Sequence, residues 1–422
     1  MAVTWKKLAF SGDAITAAQL PAATTSEQGA VELATEAEQQ AGTLTDRACV
    51  PAYLALRKIG SGWALGTGGD NRGTDAVDLG SRGVASQVAS GLRATVVGGY
   101  SNTASGTNAT VCGGASNMAT AEGALVVGGD ACAATDAYAV VIGGGDNVAG
   151  GPSTVVVGGH GNVADGNSAS VLGGYDNEAT GDYSSAVGYG NLASGFAALA
   201  EGAGNTASGY GSHAEGYGNT ASGDQSHAEG LSNTVSGLNS HAEGSYGTVS
   251  AAESHVEGSY SIADGEVSHA QGFAARTTMW GQDSQAAGKF SAAGDAQTSV
   301  LVARRTTTNA TPSALFLDGD YAISRLVIAT NTTWAFRILV AARRTDAADE
   351  SAAYEFLGCI DRNTNATALV GTVTTWSNAD NVDWDVAVTA DDANDALIVT
   401  VTGEAAKTIR WVARIELTEV SN

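Results

Sequence analysis

The sequence predicts an all-β chain: a parallel β-solenoid followed by a β-sandwich. Two observations carry the solenoid. Glycine recurs at steps of 15 and then 14 residues through the middle of the chain. The pentapeptide Ser-His-Ala-Glu-Gly returns in register, almost unchanged, within residues 212–272. Equal residues at such a period mean stacked coils, with each position forming a ladder. A third observation carries the sandwich. After Gly294 the glycine period stops, and β-branched runs with period-two alternation appear.

Composition narrows the function classes. The 422 residues include 56 Gly but only 4 Pro, without a Gly-X-Y period, so the chain is not collagen-like. The net charge of −24 repels phosphates and anionic lipid, so neither nucleic acid nor membrane insertion is expected. Cys49, Cys112, Cys132 and Cys359 lack metal-ligand spacing and suggest no disulfide framework. Cys112 stands where other repeats have Val and reads as a small buried hydrophobe. The N-terminus has no long apolar segment, and synthesis and folding in a cytoplasm are expected.

Residues 1–60 carry no glycine period and form a small mixed module. Thr35 can cap a short helix with Glu38 three residues on, and Gly42 would stop it. Pro51 opens a second stretch with helical apolar spacing. Residues 24–38, then Ala41-Gly42 and Arg47-Ala-Cys-Val-Pro-Ala-Tyr-Leu, resemble a short module common in tail fibres of tailed bacteriophages.

Residues 61–294 are the solenoid. A reference glycine ends each main strand, from Gly66 and Gly80 through Gly98, Gly113 and Gly173 to Gly188, Gly202 and Gly272. Early coils read Gly-Gly-x-x-Asn and late coils Gly-x-Gly-Asn, so the lost residue belongs to the turn and the strands keep phase. Gly and Asn suit that turn through positive φ. Alternation puts Val96, Val111, Val126, Val141, Ala186 and Ala200 inside, opposite Ala104, Ala119, Ala164 and Ala193. So thin an interior buries little apolar area.

The opposite face supplies the candidate association surface. One residue before the reference glycine stand Leu65, Leu79, Val97, Cys112, Val127, Ile142, Val157, Leu172 and Val187. An apolar column facing away from the coil needs a partner, and self-association is the economical one. From Glu201 the column turns acidic: Glu215, Glu229, Glu243 and Glu257. Two residues earlier runs His213, His227, His241, His255 and His269, five of the six histidines. We read this ladder as setting register between subunits, through packing rather than catalysis; ion binding along the axis is the lesser alternative, and no metal is assigned.

Repeats of the form Ser-x-Ala-x-Gly-x-x-Asn-x-Ala-x-Gly resemble the YadA-like heads of trimeric autotransporter adhesins, over roughly 65–294. That resemblance implies a homotrimeric, left-handed parallel β-roll. The chain departs from the family: we find no signal peptide, heptad stalk or C-terminal membrane barrel in it.

Residues 295–422 predict about eight strands, at 299–304, 322–328, 333–343, 353–360, 368–374, 384–388, 397–402 and 409–417. This part resembles small C-terminal domains of phage tail proteins. Trp334, Trp384 and Trp411 fall in strands and read as core. Trp376, Asn378, Asp380 and Asn381 read as an aromatic and polar loop suited to sugars. The paired carboxylates Asp391 and Asp392 lie in a turn.

These readings combine into one expectation. The chain is a trimeric phage tail fibre, located in the virion tail and assembled in the host cytoplasm. Its N-terminus joins a larger tail or baseplate assembly, and its tip meets a host cell-surface receptor, a glycan in the favoured version. It is expected not to be an enzyme and to need no cofactor. Alternatives are a bacterial surface or contractile-injection-system adhesin, a polysaccharide depolymerase and a passive spacer.

Overall fold

The computed structural model describes residues 73–78, 87–321, 323–347 and 350–422. The module expected at 1–60, with Leu65, Gly66, Leu79 and Gly80, lies outside the described residues.

The solenoid runs from β1 (Val77–Asp78) to β29 (Asp283–Ala287). Even-numbered strands have two residues each and stack as a 14-stranded parallel sheet, while odd-numbered strands form the facing sheet. Register follows the sequence repeat: His213 pairs with His227, Ala214 with Ala228 and Glu215 with Glu229. At about 4.8 Å per coil the stack is roughly 65 Å long.

The interior is as narrow as the residue pattern implies. Val96, Val111, Val126, Val141, Ala186 and Ala200 from the long strands are fully buried against Ala104, Ala119, Ala164 and Ala193 from the short ones. Each buried methyl-sized group contributes only about 0.8 kcal/mol. A polar column supplies what they lack. Asn102, Asn117, Asn147, Asn162, Asn177, Asn191, Asn205, Asn219 and Asn233 are buried along the axis. Asn205 is typical. Its side-chain nitrogen donates to the Glu201 and Gly216 carbonyls at 2.6 and 2.8 Å, and its oxygen accepts the Asn219 backbone N–H at 2.9 Å. Each rung thus ties its own coil to the next and satisfies backbone groups that water cannot reach.

Three details of the sequence reading change. The ladder asparagines do not occupy the positive-φ site; the residue before each does, as in Ser101 (φ 57°), Ser116 (φ 56°) and Gly190 (φ 61°). The glycine equivalent to Gly188 is Gly174 rather than Gly173, because Val171 pairs with Ala186 but Gly174 pairs with Gly188. Gly173 is therefore an extra residue at the strand end, and its loss lets three-residue strands such as Thr110–Cys112 become five-residue strands such as His213–Tyr217. Cys112 is half-buried in the outward column, whereas Cys132 is fully buried in the asparagine column.

The last coil is capped by an antiparallel strand. β30 (Ala296–Thr307) pairs with β29 through Ser284–Ser299 and Gln285–Thr298. β39 (Ile409–Ser421) follows β30, then β33 (Thr332–Arg344) and β34 (Ser351–Arg362), whose far edge carries β35 (Thr367–Leu369) and β36 (Thr374–Ala379). A smaller sheet places β31 (Ser313–Ala314), β32 (Leu326–Val327) and β37 (Asp385–Asp391) around β38 (Ala396–Thr402). Strict alternation in β33 turns Trp334, Phe336, Ile338 and Val340 inward, where they share one core with Leu397, Val399 and Val401 of the smaller sheet. Two sheets with a common apolar core form a sandwich. Trp384 and Trp411 belong to that core.

Candidate functional site

The outward face of the odd-numbered strands carries two adjacent columns. In the early coils one column is Val97, Val127, Ile142, Val157 and Leu172, exposed between 38% and 60%. Val187, next in line, is half-buried. Leu125, Val140 and Val155 run beside it, also half-buried. The stripe faces outward because the coil interior takes only every second residue.

In the late coils the same columns become His and Glu. The imidazoles of His213, His227, His241, His255 and His269 stack with centroids 4.6–4.9 Å apart and nearly parallel planes. Each Nε2 faces the glutamate of the preceding coil. The separations are 3.4 Å for His227 and Glu215, 3.6 Å for His241 and Glu229, and 3.8 Å for both His213–Glu201 and His255–Glu243. His269 lies 3.9 Å from Glu257 and reaches Asp283 through Nδ1 at 3.6 Å. At these distances and ring orientations every one of the five Nε2 atoms is buried without a hydrogen bond. Burial lowers the pKa of His241 and His255, and the neighbouring histidines lower it further against the glutamates, so these rings are neutral at pH 7. The ligand atoms of His213, Glu215 and His227 lie within 4.8 Å of one another, as do those of His227, Glu229 and His241.

Only half of the loop expected at the tip lies outside a strand. Trp376 and Asn378 lie on the edge strand β36, where both are exposed. Asp380 accepts the Ser351 backbone N–H and hydroxyl, both at 2.9 Å. Asn381 donates to Glu350 at 3.0 Å and Glu404 at 2.6 Å. These two fasten the turn after β36 to its neighbours, and only Trp376 and Asn378 of the four remain a free surface pair. Of the paired carboxylates only Asp392 lies in a turn, where it accepts from Thr367; Asp391 ends β37 and accepts from Asn394.

One polar cluster escaped the sequence reading. Gln282, Ser284, Gln297 and Ser299 meet where the last coil joins β30, and Glu419 of β39 closes over them. Gln297 donates to Glu419 at 3.2 Å, and Ser299 also donates to it. Burial pushes the Glu419 carboxyl up, against those two hydrogen bonds, which pull it down. The signal was available in the sequence: the serine column of the late coils (Ser212, Ser226, Ser240, Ser254, Ser268) leads straight to Gln282, the next residue at that step.

No protein-family profile matches the chain. No curated protein matches it by sequence. Among solved structures, the tailspike protein of Acinetobacter baumannii phage AM24 aligns with 78% of this chain and 73% of its own, at a TM-score of 0.21 and 7% identity. The expectation that the chain is not an enzyme had been drawn for a fibre, and the matched protein is a tailspike, so that expectation is withdrawn. Nothing replaces it, because a likeness at this TM-score carries no argument about activity.

Proposed function

We propose that the chain is a fibre protein of a phage tail. In this reading it assembles as a homotrimer through the outer face of the solenoid. Residues 1–60 join it to the tail or baseplate, and the sandwich adheres to a glycan on the host surface. It would reside in the virion tail after assembly in the host cytoplasm. The observation that supports association is the exposed column Val97, Val127, Ile142, Val157 and Leu172. A stripe of this kind is costly in water, and nothing among the described residues covers it. Cyclic association would bury the same stripe in every copy. Three tips on one rigid shaft would then add avidity to a weak site.

Sedimentation tests the association. The wild type is expected as a trimer, and a variant carrying Val127→Lys, Ile142→Lys and Val157→Lys as a monomer; a monomeric wild type overturns the reading. Adhesion is tested by incubating the full chain and its Trp376→Ala variant with host envelope polysaccharide. Both retention and chain cleavage are measured. Absence of retention by the wild type removes the adhesive role.

A further inference from the structure

We propose that the middle rungs of the ladder bind a divalent transition-metal ion of the zinc class, held by His213, Glu215 and His227, with an overlapping site at His227, Glu229 and His241. A single chain supplies all three ligands of either site, so the inference does not depend on the trimer.

Ligand atoms around one zinc ion lie about 3.0–3.6 Å apart, since each sits roughly 2.0–2.2 Å from the metal. The pairs His227–Glu215 and His241–Glu229, at 3.4 and 3.6 Å, already have that spacing. The pairs above and below are wider, at 3.8–3.9 Å. The third ligand of each trio, within 4.8 Å of the others, must approach by about an ångström, through a rotation of an imidazole side chain that is about one-third exposed. Buried Nε2 atoms without hydrogen bonds are the second observation. A buried ring nitrogen without a partner is costly, and one ion would give the Nε2 atoms of two successive rings, once deprotonated, a shared partner. Imidazole with carboxylate selects zinc, nickel or copper over magnesium and calcium. Because both trios use His227, filling one removes a ligand from the other, and one ion per chain is expected.

The test uses the tag-free full-length chain titrated with Zn2+ by calorimetry, with melting followed alongside. The wild type should take one ion per chain and melt at a higher temperature with zinc. His227→Gln breaks both trios and should lower the affinity at least tenfold, whereas His255→Gln lies outside both and should leave it unchanged. The pair Glu215→Gln with Glu229→Gln keeps every imidazole and should also lose at least tenfold, which serves if His227→Gln does not fold. Three results overturn the proposal. The wild type takes no zinc; His227→Gln binds as well as the wild type, which would point elsewhere, for instance to His160 and Asp146 at 3.2 Å; or His255→Gln loses as much as His227→Gln.

Discussion

In the solenoid the buried columns are Ala, Val, Ser and Asn; in the sandwich they are Trp, Ile, Leu and Phe. The solenoid cannot accept large side chains, because its two sheets close on each other within one narrow coil. It keeps its coils together with backbone pairing and the asparagine rungs. The sandwich separates its sheets far enough for indoles, and apolar burial carries it. The difference teaches that one chain can place its polar groups at the centre of one part and exclude them from the centre of the other. The asparagine column is tolerated because its hydrogen bonds are met, whereas the Trp384 indole nitrogen is buried in the sandwich without a partner.

The comparison is broken most directly from the apolar side. Trp411 is fully buried and donates to Thr307 at 2.9 Å. Trp411→Ala should destabilise the sandwich by about 3–5 kcal/mol in urea unfolding. Loss of less than half of that would mean that size matters less there than we hold. On the polar side, Asn205→Ala removes the bonds to the Glu201 and Gly216 carbonyls and to the Asn219 N–H. It should cost about 2–4 kcal/mol, with amide exchange accelerated in the adjoining coils first. Val256 separates the two explanations within the solenoid. Its stacked neighbours Ala242 and Ala270 are already small. Val256→Ala should therefore cost only about 1–2 kcal/mol. If it costs more than Asn205→Ala, the polar column is not what sustains the shaft.

The smallest effect lies at the junction. Glu419 binds its proton more tightly folded than unfolded, because burial raises its pKa above 4.5. A raised folded value means stability that is complete below the unfolded pKa and declines as pH rises through the folded one. Glu419→Gln should cancel that decline. Measured as the difference between variant and wild type, melting should favour the variant increasingly from pH 4.5 upward. A difference independent of pH would show that Glu419 is ionised at no cost.

Much of this was legible because the repeat writes each column many times. The inward and outward faces of the long strands follow from alternation alone, and the His and Glu columns follow from identity. The direction of the asparagines was misread, since Asn favours left-handed turns in isolation. The correcting signal was present: Asn102 stands two residues before Ala104, Asn117 before Ala119, and Asn205 before Ala207, which puts both members of each pair on one face. Trp376 was misplaced for a related reason. Ser377, Asn378 and the residues after them look like turn chemistry, but Thr374 and Thr375 had already begun an edge strand along β34. The meeting of Glu419 with Ser299 was hidden, because it joins residues 120 positions apart and no local pattern reports such a contact.

The antiparallel seat of β30 on β29 has a consequence for biosynthesis. Translation delivers the coils in order, each able to dock on the one before it as soon as it emerges. The strand that closes the growing end is encoded after all of them. Until then every new long strand is in turn the last one, with its outer row of amides and carbonyls open to any other nascent chain nearby. On a polysome those neighbours are copies of the same sequence at the same stage, presenting the same edge. The ribosome therefore hands over an unfinished stack among its own likenesses, and completing residues 296–307 is what withdraws it from that company.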